Sequence, residues 1–175
     1  MTGKTTRTTS GTTVDALNDL RQRLAIVEQL LAARSRGSVS WGLVAAPAIV
    51  TVDQGSITNT IVDIAGAACS FTAITNRRYR CTAVAFFSTT VAGDQYELAV
   101  TNTAGTPLNG GRDRDDMPVV GRFYGARIAA AIDTPVAGPV TYKLRAVRGA
   151  GTGTLTINST SIPTVLLVED MGPIA

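Results

Sequence analysis

The stretch GGRDRDDMP contains the densest cluster of charged side chains in the sequence. Asp113, Asp115 and Asp116 place three carboxylates on one short segment, and carboxylates are the ligands that Ca²⁺ prefers. Arg112 and Arg114 alternate with these acids, however, and no glutamate follows at the spacing that closes a calcium loop. The pattern therefore favours a salt-bridge loop, either solvated or between subunits, over a metal site.

This stretch belongs to a longer segment, residues 102–118, which is long for a connection between two strands. Phe123 and Tyr124 follow it in the sequence GRFYG, and they are the aromatic residues best placed to form an exposed sugar-binding platform. Core packing is the alternative for at least one of them. The sequence therefore predicts a surface-recognition loop that combines these two aromatics with the charged residues 112–116.

The sequence contains no histidine, which removes the usual serine and cysteine nucleophile systems and the most common zinc ligands. A hydrolase that uses only carboxylates would need two acids across a cleft. Asp94, Glu97, Asp115 and Asp116 are candidates, but no spacing singles out a pair. We therefore expect no enzymatic activity, no cofactor and no metal.

Two further stretches resemble ligand-binding motifs. GAGTGT, at 149–154, resembles a phosphate-binding glycine loop, but it joins two predicted strands and opens no helix, so it predicts a hairpin turn. NRRYR, at 76–80, mixes arginine with an aromatic residue, as nucleic-acid surfaces do. Residues 38–175 nevertheless carry ten basic and ten acidic side chains. Because this part is neutral overall, we expect no nucleic-acid partner.

The net charge of +3 lies entirely in the N-terminal segment, because residues 1–37 carry six basic and three acidic side chains. Residues 1–13 are mostly polar and include Lys4 and Arg7, with no acid before Asp15. They predict a basic arm that docks on an acidic protein surface. No signal-peptide pattern and no membrane-spanning apolar run are found, so we expect a protein made in a cytoplasm without a membrane partner.

Residues 14–37 predict an amphipathic helix with apolar residues spaced alternately three and four apart, which is the heptad pattern of a coiled coil. Leucine at the a positions and valine at one d position favour a bundle of three parallel helices over one of two. The alternative is a single helix packed on its own sheet. The residues expected in the coiled-coil core are Leu17, Leu20, Leu24, Val27 and Leu31. The ion pair expected between neighbouring helices is Arg23 with Glu28.

Residues 38–175 predict β-strands throughout. Alternating apolar residues place Tyr96, Leu98 and Val100 on one face of a strand, and TYKLRAV and TLTIN repeat this pattern. Eight to ten short strands at this spacing predict an antiparallel, jelly-roll-like β-sandwich. Cys69 and Cys81 could face each other across a hairpin, but two small buried free thiols are favoured in a reducing compartment. The sequence does not decide whether they form a disulfide.

The basic arm, the short coiled coil and the β-sandwich rich in threonine and glycine together resemble small virion proteins of tailed bacteriophages, especially phages of high-GC Gram-positive hosts. The resemblance covers about residues 12–175 and contains no catalytic motif, so it assigns no functional residue. Its phrases are SWGLVAAPAIVTVDQGSITNTIVDI, RRYRCTAVAFFSTTVAGDQYELAVTN, GPVTYKLRAVRGAGTGTLTIN and TVLLVEDMGPIA.

This resemblance implies a non-enzymatic, homotrimeric capsid decoration or head-fibre protein, attached to the particle by its N-terminal arm. Its partners would be its own copies and a major capsid protein or another virion protein. It would be assembled in the host cytoplasm and exposed on the virion. The alternative is a minor tail or tail-fibre protein that binds a glycan on the host surface.

Overall fold

The computed structural model describes residues 42–174. This part of the chain forms eleven β-strands and contains no helix. Among these residues there is accordingly no apolar helix of membrane-spanning length. The strands are β1 Gly42–Leu43, β2 Ala48–Val50, β3 Gln54–Ile57, β4 Val62–Ala73, β5 Arg77–Thr89, β6 Asp94–Thr101, β7 Pro107–Met117, β8 Tyr124–Asp133, β9 Gly138–Ala150, β10 Leu155–Ile157 and β11 Thr164–Pro173.

The predictions for the N-terminal segment fall outside the described residues. They are the docking arm over residues 1–13, with Lys4 and Arg7, and the helix over residues 14–37. All the expected coiled-coil core residues and the Arg23–Glu28 pair belong to that helix, so the coiled coil stays a prediction.

The strands form one continuous antiparallel path in the order β1-β11-β5-β8-β7-β6-β9-β4. Three short strands pair beside this path, β2 with β11 and β10 with both β5 and β3. One register pair, Asn109 with Ile132, joins β7 to β8 in the middle of the path. We call this junction the seam, because the ladders on either side of it are much longer.

The sandwich prediction was wrong in its architecture, although the all-β, antiparallel class is confirmed. The sequence predicts two sheets packed face to face, whereas the structure has one sheet that curls into a half-barrel. A curled sheet and a sandwich both bury one face of each strand, so both produce the same alternation along the sequence. The curl brings β4 near β11, where the Cys69 thiol lies 3.5 Å from the Leu166 carbonyl oxygen.

The concave face of the sheet holds the apolar core. Strand β5 shows the pattern most clearly, because every second residue from Tyr79 to Phe87 is at most 1% exposed. The alternations predicted for β6, β9 and β10 are confirmed. Their buried residues are Tyr96, Leu98, Val100, Tyr142, Leu144, Ala146, Leu155 and Ile157.

Aromatic pairs connect the two halves of the sheet across the core. Phe87 on β5 stacks on Tyr96 of β6, with 4.9 Å between the ring centroids. Phe71 on β4 packs against Tyr79 of β5 at 4.8 Å and against Tyr142 of β9 at 5.5 Å. The Phe87–Tyr96 and Phe71–Tyr79 pairs join strands on opposite sides of the seam, whereas β4 and β9 are neighbours on one side. Side-chain packing therefore strengthens the connection between the two halves, where only one backbone register pair is found.

The two cysteines are buried free thiols. Burial raises the pKa of both Cys69 and Cys81, so neither is poised as a thiolate nucleophile. They act as small core residues, which is the interpretation that the sequence favours.

The terminal strand β4 is covered by a side chain over part of its length. Gln54 donates to the carbonyl oxygen of Asp63 at 3.2 Å and accepts from the backbone N–H of Ala65 at 2.9 Å. The ladder between β4 and β9 shifts register between Asp63 and Ala68, and Gly66 within this bulge has a φ of 79°. Gln54 therefore takes the place of a strand partner where β4 bends.

The turns gather at two ends of the domain. The turns around 74–76, 102–106 and 134–137 share one end with Gly42, whose strand β1 pairs beside Asp170. We call this the proximal end, because Gly42, the first described residue, lies there. The connections around 90–93, 118–123 and 151–154 form the opposite, distal end.

Candidate functional site

The charged residues 112–116 lie on strand β7 and not in a loop, which corrects the predicted recognition loop. β7 pairs with β6 over most of its length, from Asp94 opposite Met117 to Ala99 opposite Arg112. This backbone pairing holds the strand, while most of its side chains are polar and exposed. The apolar alternation that identifies a strand in sequence is therefore weak here.

On the outer face of the sheet, the side chains of β7 are paired with those of β6. Arg112 Nη1 lies 3.1 Å from Glu97 Oε1. Gln95 donates to Asp116 at 2.9 Å and accepts a hydrogen bond from Arg114. Of the charged residues 112–116, Arg112 therefore forms an ion pair in the described structure, with Glu97 of the same chain.

Asp113 turns toward the seam. Its Oδ2 atom accepts from the backbone N–H of Arg127 on β8 at 2.7 Å and lies 3.4 Å from the Tyr96 hydroxyl. Burial, together with the Asp113 charge, raises the pKa of Tyr96 to about 12. The carboxylate thus supplies a link between β7 and β8 where their backbone ladder is missing.

The carboxylates of the predicted cluster therefore serve different partners. Asp115 accepts from the backbone N–H of Asp116 at 2.8 Å, which is a local contact. In the described residues, no group of three or more acidic, cysteine or histidine side chains is placed to hold a metal ion. The candidate hydrolase acids are also separated, because Asp94 is buried while Glu97 lies on the outer face beside Arg112.

Phe123 and Tyr124 have different environments. The Tyr124 hydroxyl accepts from the backbone N–H of Val119 at 2.8 Å, and the ring packs against the core. Phe123 is 43% exposed, and Val91, Val119 and Val120 are 40–54% exposed on the same end. We call these four residues the distal apolar patch. The hydrogen bond between Tyr124 and Val119 thus holds the β7–β8 connection, which carries the exposed Phe123.

The GAGTGT motif forms a turn that is fixed by a buried carboxylate. Asp94, with no exposed surface, accepts from the backbone N–H groups of Thr152 at 2.9 Å and Gly153 at 3.0 Å, and also from the Thr89 hydroxyl. A Cβ atom at Gly151 or Gly153 would collide with this carboxylate. The glycines therefore allow the backbone to approach this carboxylate closely. The stretch connects two strands, as predicted, but it is not a hairpin, because β10 pairs with β3 and β5 whereas β9 pairs with β4 and β6.

This environment determines the charge of Asp94. Burial alone would raise the pKa of its carboxyl, but the hydrogen bonds from Thr89, Gly153 and Thr152 and the nearby Arg148 outweigh burial and lower it. A carboxyl held ionised in this way cannot act as a general acid near neutral pH. Its geometry indicates a structural clamp between the β5–β6 and β9–β10 connections.

A polar cavity of about 100 Å³ lies at the proximal end, beside the β6–β7 turn. We call it the proximal cavity. Its wall is formed by Asp63, Lys143, Arg145 and the residues 101–105. Lys143 donates to Asp63 at 3.0 Å, and Arg145 Nε lies 2.8 Å from the same carboxylate. The Lys143 hydrogen bond is the main cause that lowers the pKa of Asp63, and Arg145 adds to it, against the opposing effect of burial.

Sequence reasoning missed the proximal cavity. Asp63 on β4 and Lys143 on β9 are 80 residues apart, and only the pairing of these two strands brings them together. The one local signal is Gly105, whose φ of 83° closes the turn directly against the Arg145 guanidinium. Two wider grooves, of about 420 and about 390 Å³, flank the same turn.

No family model matches the sequence, and no curated protein matches it. Solved structures of similar fold are found, and those named here align at low identity. Eiger TNF from S. frugiperda aligns with a TM-score of 0.40 and 12% identity, over 79% of this chain and 90% of that chain. Infectious bursal disease virus, Gt strain, aligns with a TM-score of 0.39 and 12% identity, over 75% of this chain and 38% of that chain.

A family 35 carbohydrate-binding module from Clostridium thermocellum aligns with a TM-score of 0.36 and 11% identity, over 70% of this chain and 98% of that chain. The similar structures thus include a viral capsid protein and carbohydrate-binding modules, and the similarity is weak. Likenesses at this level assign neither a family nor a function to the chain.

Proposed function

We propose that the protein is a non-enzymatic structural protein of a bacteriophage virion: a homotrimeric capsid decoration or head-fibre protein. In this proposal residues 1–13 attach it to a major capsid protein or another virion protein, and the β-domain stands exposed on the particle. The proposal rests on the distribution of charge between the two parts of the chain.

The β-domain uses many of its charges internally. Arg77 pairs with Asp170, Arg80 with Glu169 and Arg112 with Glu97, and Asp63 pairs with both Lys143 and Arg145. Residues 38–175 have no net charge, whereas the whole +3 lies in residues 1–37. Electrostatic attraction to an acidic partner therefore favours the N-terminal segment.

Deletion of residues 2–11 tests the attachment. The shortened protein should keep the far-UV circular dichroism of the full chain but should no longer co-sediment with capsids assembled without it. A Lys4→Gln, Arg7→Gln variant should weaken binding and increase its sensitivity to salt, whereas Arg112→Gln, which removes an exposed cation of the β-domain, should not. Undiminished co-sedimentation of the deletion variant would refute the docking role.

The second candidate is a tail-associated adhesin that binds a host-surface glycan. The observation that favours it is the exposed ring of Phe123, because aromatic faces are common sugar platforms. Saturable binding of the protein to host cells that is lost in Phe123→Ala, but kept in Val136→Ala at the proximal end, would favour the adhesin. Equal binding by both variants would count against it.

A further inference from the structure

We propose that the proximal cavity binds a small oxyanion, such as a phosphate or a carboxylate group, between Lys143 and Arg145. The site is separate from the attachment function proposed above and does not depend on it.

The first argument is the charge of the wall. Lys143 and Arg145 contribute two positive charges, and Asp63 contributes one negative charge. The three residues lie on the neighbouring strands β4 and β9, and their ion pairs of 3.0 and 2.8 Å leave a net charge of +1. The cavity is therefore electropositive although it contains a carboxylate.

The second argument is that one buried polar group of this wall lacks a hydrogen-bond partner. Thr101, which is 2% exposed, has no partner for its hydroxyl in the described structure. Buried donors in native proteins are almost always satisfied, by protein, water or ligand.

The third argument is the shape of the wall. The β6–β7 turn folds over the Arg145 guanidinium, because Gly105 has no Cβ and a φ of 83°. Asn102 holds the turn closed, accepting from the backbone N–H of Thr106 at 3.0 Å through its side chain and from that of Gly105 at 2.9 Å through its carbonyl oxygen. Arg145 is thus fixed in place, and a volume of about 100 Å³ suits a group of phosphate or carboxylate size.

Asp63 gives the proposal its sharpest test, because its carboxylate competes with a bound anion for Lys143 and Arg145. Calorimetric titration of the full chain with inorganic phosphate, and separately with acetate, should show saturable binding of at least one anion. Asp63→Asn should tighten this binding about fivefold or more, because it removes one negative charge about 4 Å from the ligand.

Two more variants identify the donors. Lys143→Met should weaken binding about fivefold or more, whereas Arg112→Met, which removes an exposed cation outside the cavity, should leave it unchanged. Thr101→Val keeps the shape of the side chain and removes the unpartnered hydroxyl. It should weaken binding without lowering the melting temperature, a combination that a purely structural role of Thr101 does not produce.

The comparison of phosphate with acetate identifies the preferred oxyanion, and binding of either supports the site. The proposal is overturned if neither anion binds saturably to the wild type or to Asp63→Asn. It is also overturned if Arg112→Met weakens binding as much as Lys143→Met does. Far-UV circular dichroism of each variant confirms that the comparisons are made on folded protein.

Discussion

Replacing Asp94 with alanine should destabilise the domain strongly, because this buried carboxylate holds the turn at 151–154. The variant leaves the N–H groups of Thr152 and Gly153 without their acceptor, whereas the Thr89 hydroxyl can still donate to the Val91 carbonyl oxygen at 3.1 Å. A buried group left unpaired costs about 1–3 kcal/mol, and the loss of a charged acceptor adds to this cost. Thr152 is near the surface and can bind water, so we expect a total loss of about 2–4 kcal/mol in the free energy of unfolding.

The measurement is urea unfolding at pH 7, followed by circular dichroism. Asp94→Asn keeps one acceptor oxygen for the two backbone N–H groups and should cost only about 1–2 kcal/mol. Asp116→Ala is the matched control, since it removes an exposed carboxylate with a single side-chain donor, and it should change stability by less than about 0.5 kcal/mol. If Asp94→Ala proves no more destabilising than Asp116→Ala, the clamp does not exist.

The same carboxylate predicts a dependence on pH. The pKa of Asp94 is lower in the folded protein than in the unfolded chain. Its contribution is therefore complete above the ordinary aspartate pKa of about 3.9 and is lost as the pH falls through the lower folded value. The stability difference between the wild type and Asp94→Ala should consequently be full at neutral pH and shrink in acid. A difference that stayed constant down to the acid transition would contradict this assignment.

Three further predictions concern other parts of the chain. Gly151→Ala should cost about 1–3 kcal/mol in urea unfolding, because the φ of 94° disfavours any side chain at this position. Arg77→Met should cost about 3–5 kcal/mol by the same measurement, because it leaves the buried Asp170 carboxylate without its cation at 2.7 Å, while Arg78→Met at the neighbouring exposed position should cost little. Light scattering should give about three times the chain mass of 18.2 kDa, and Leu24→Asp should lower it, whereas a wild-type monomer would refute the trimer.

The sequence predicts the strands whose inward side chains are apolar. Tyr96, Leu98 and Val100 alternate with polar residues, and this period of two identifies both the strand and its buried face. The pattern does not reveal whether the buried faces belong to two sheets or to one curled sheet. That choice depends on the seam at Asn109 and Ile132, which is a long-range pairing without a local signature.

The sequence misleads where backbone pairing, and not burial, holds a strand. Arg112 and its charged neighbours resemble a loop in composition, yet they pair along β6. The candidate sites follow the same division. A connection between strands at GAGTGT has a local signal and was predicted. The hairpin was not found, because β9 and β10 pair with other strands, and the carboxylate that fixes the connection, Asp94, is 58 residues from Thr152. The proximal cavity likewise depends on the contact between Asp63 and Lys143, which are far apart in the sequence, so no local pattern predicts it.

The contact of Gln54 with strand β4 has a consequence for crowded solutions. An open strand offers unpaired N–H and C=O groups to any other chain, and this is how folded β-proteins can begin to aggregate. Gln54 occupies one donor and one acceptor of β4, at Ala65 and Asp63, and the bulge at Gly66 bends the strand away from a straight template. A side-chain amide satisfies these groups without presenting a new backbone edge of its own. Over this part of β4, growth of the sheet from one molecule into the next is therefore blocked.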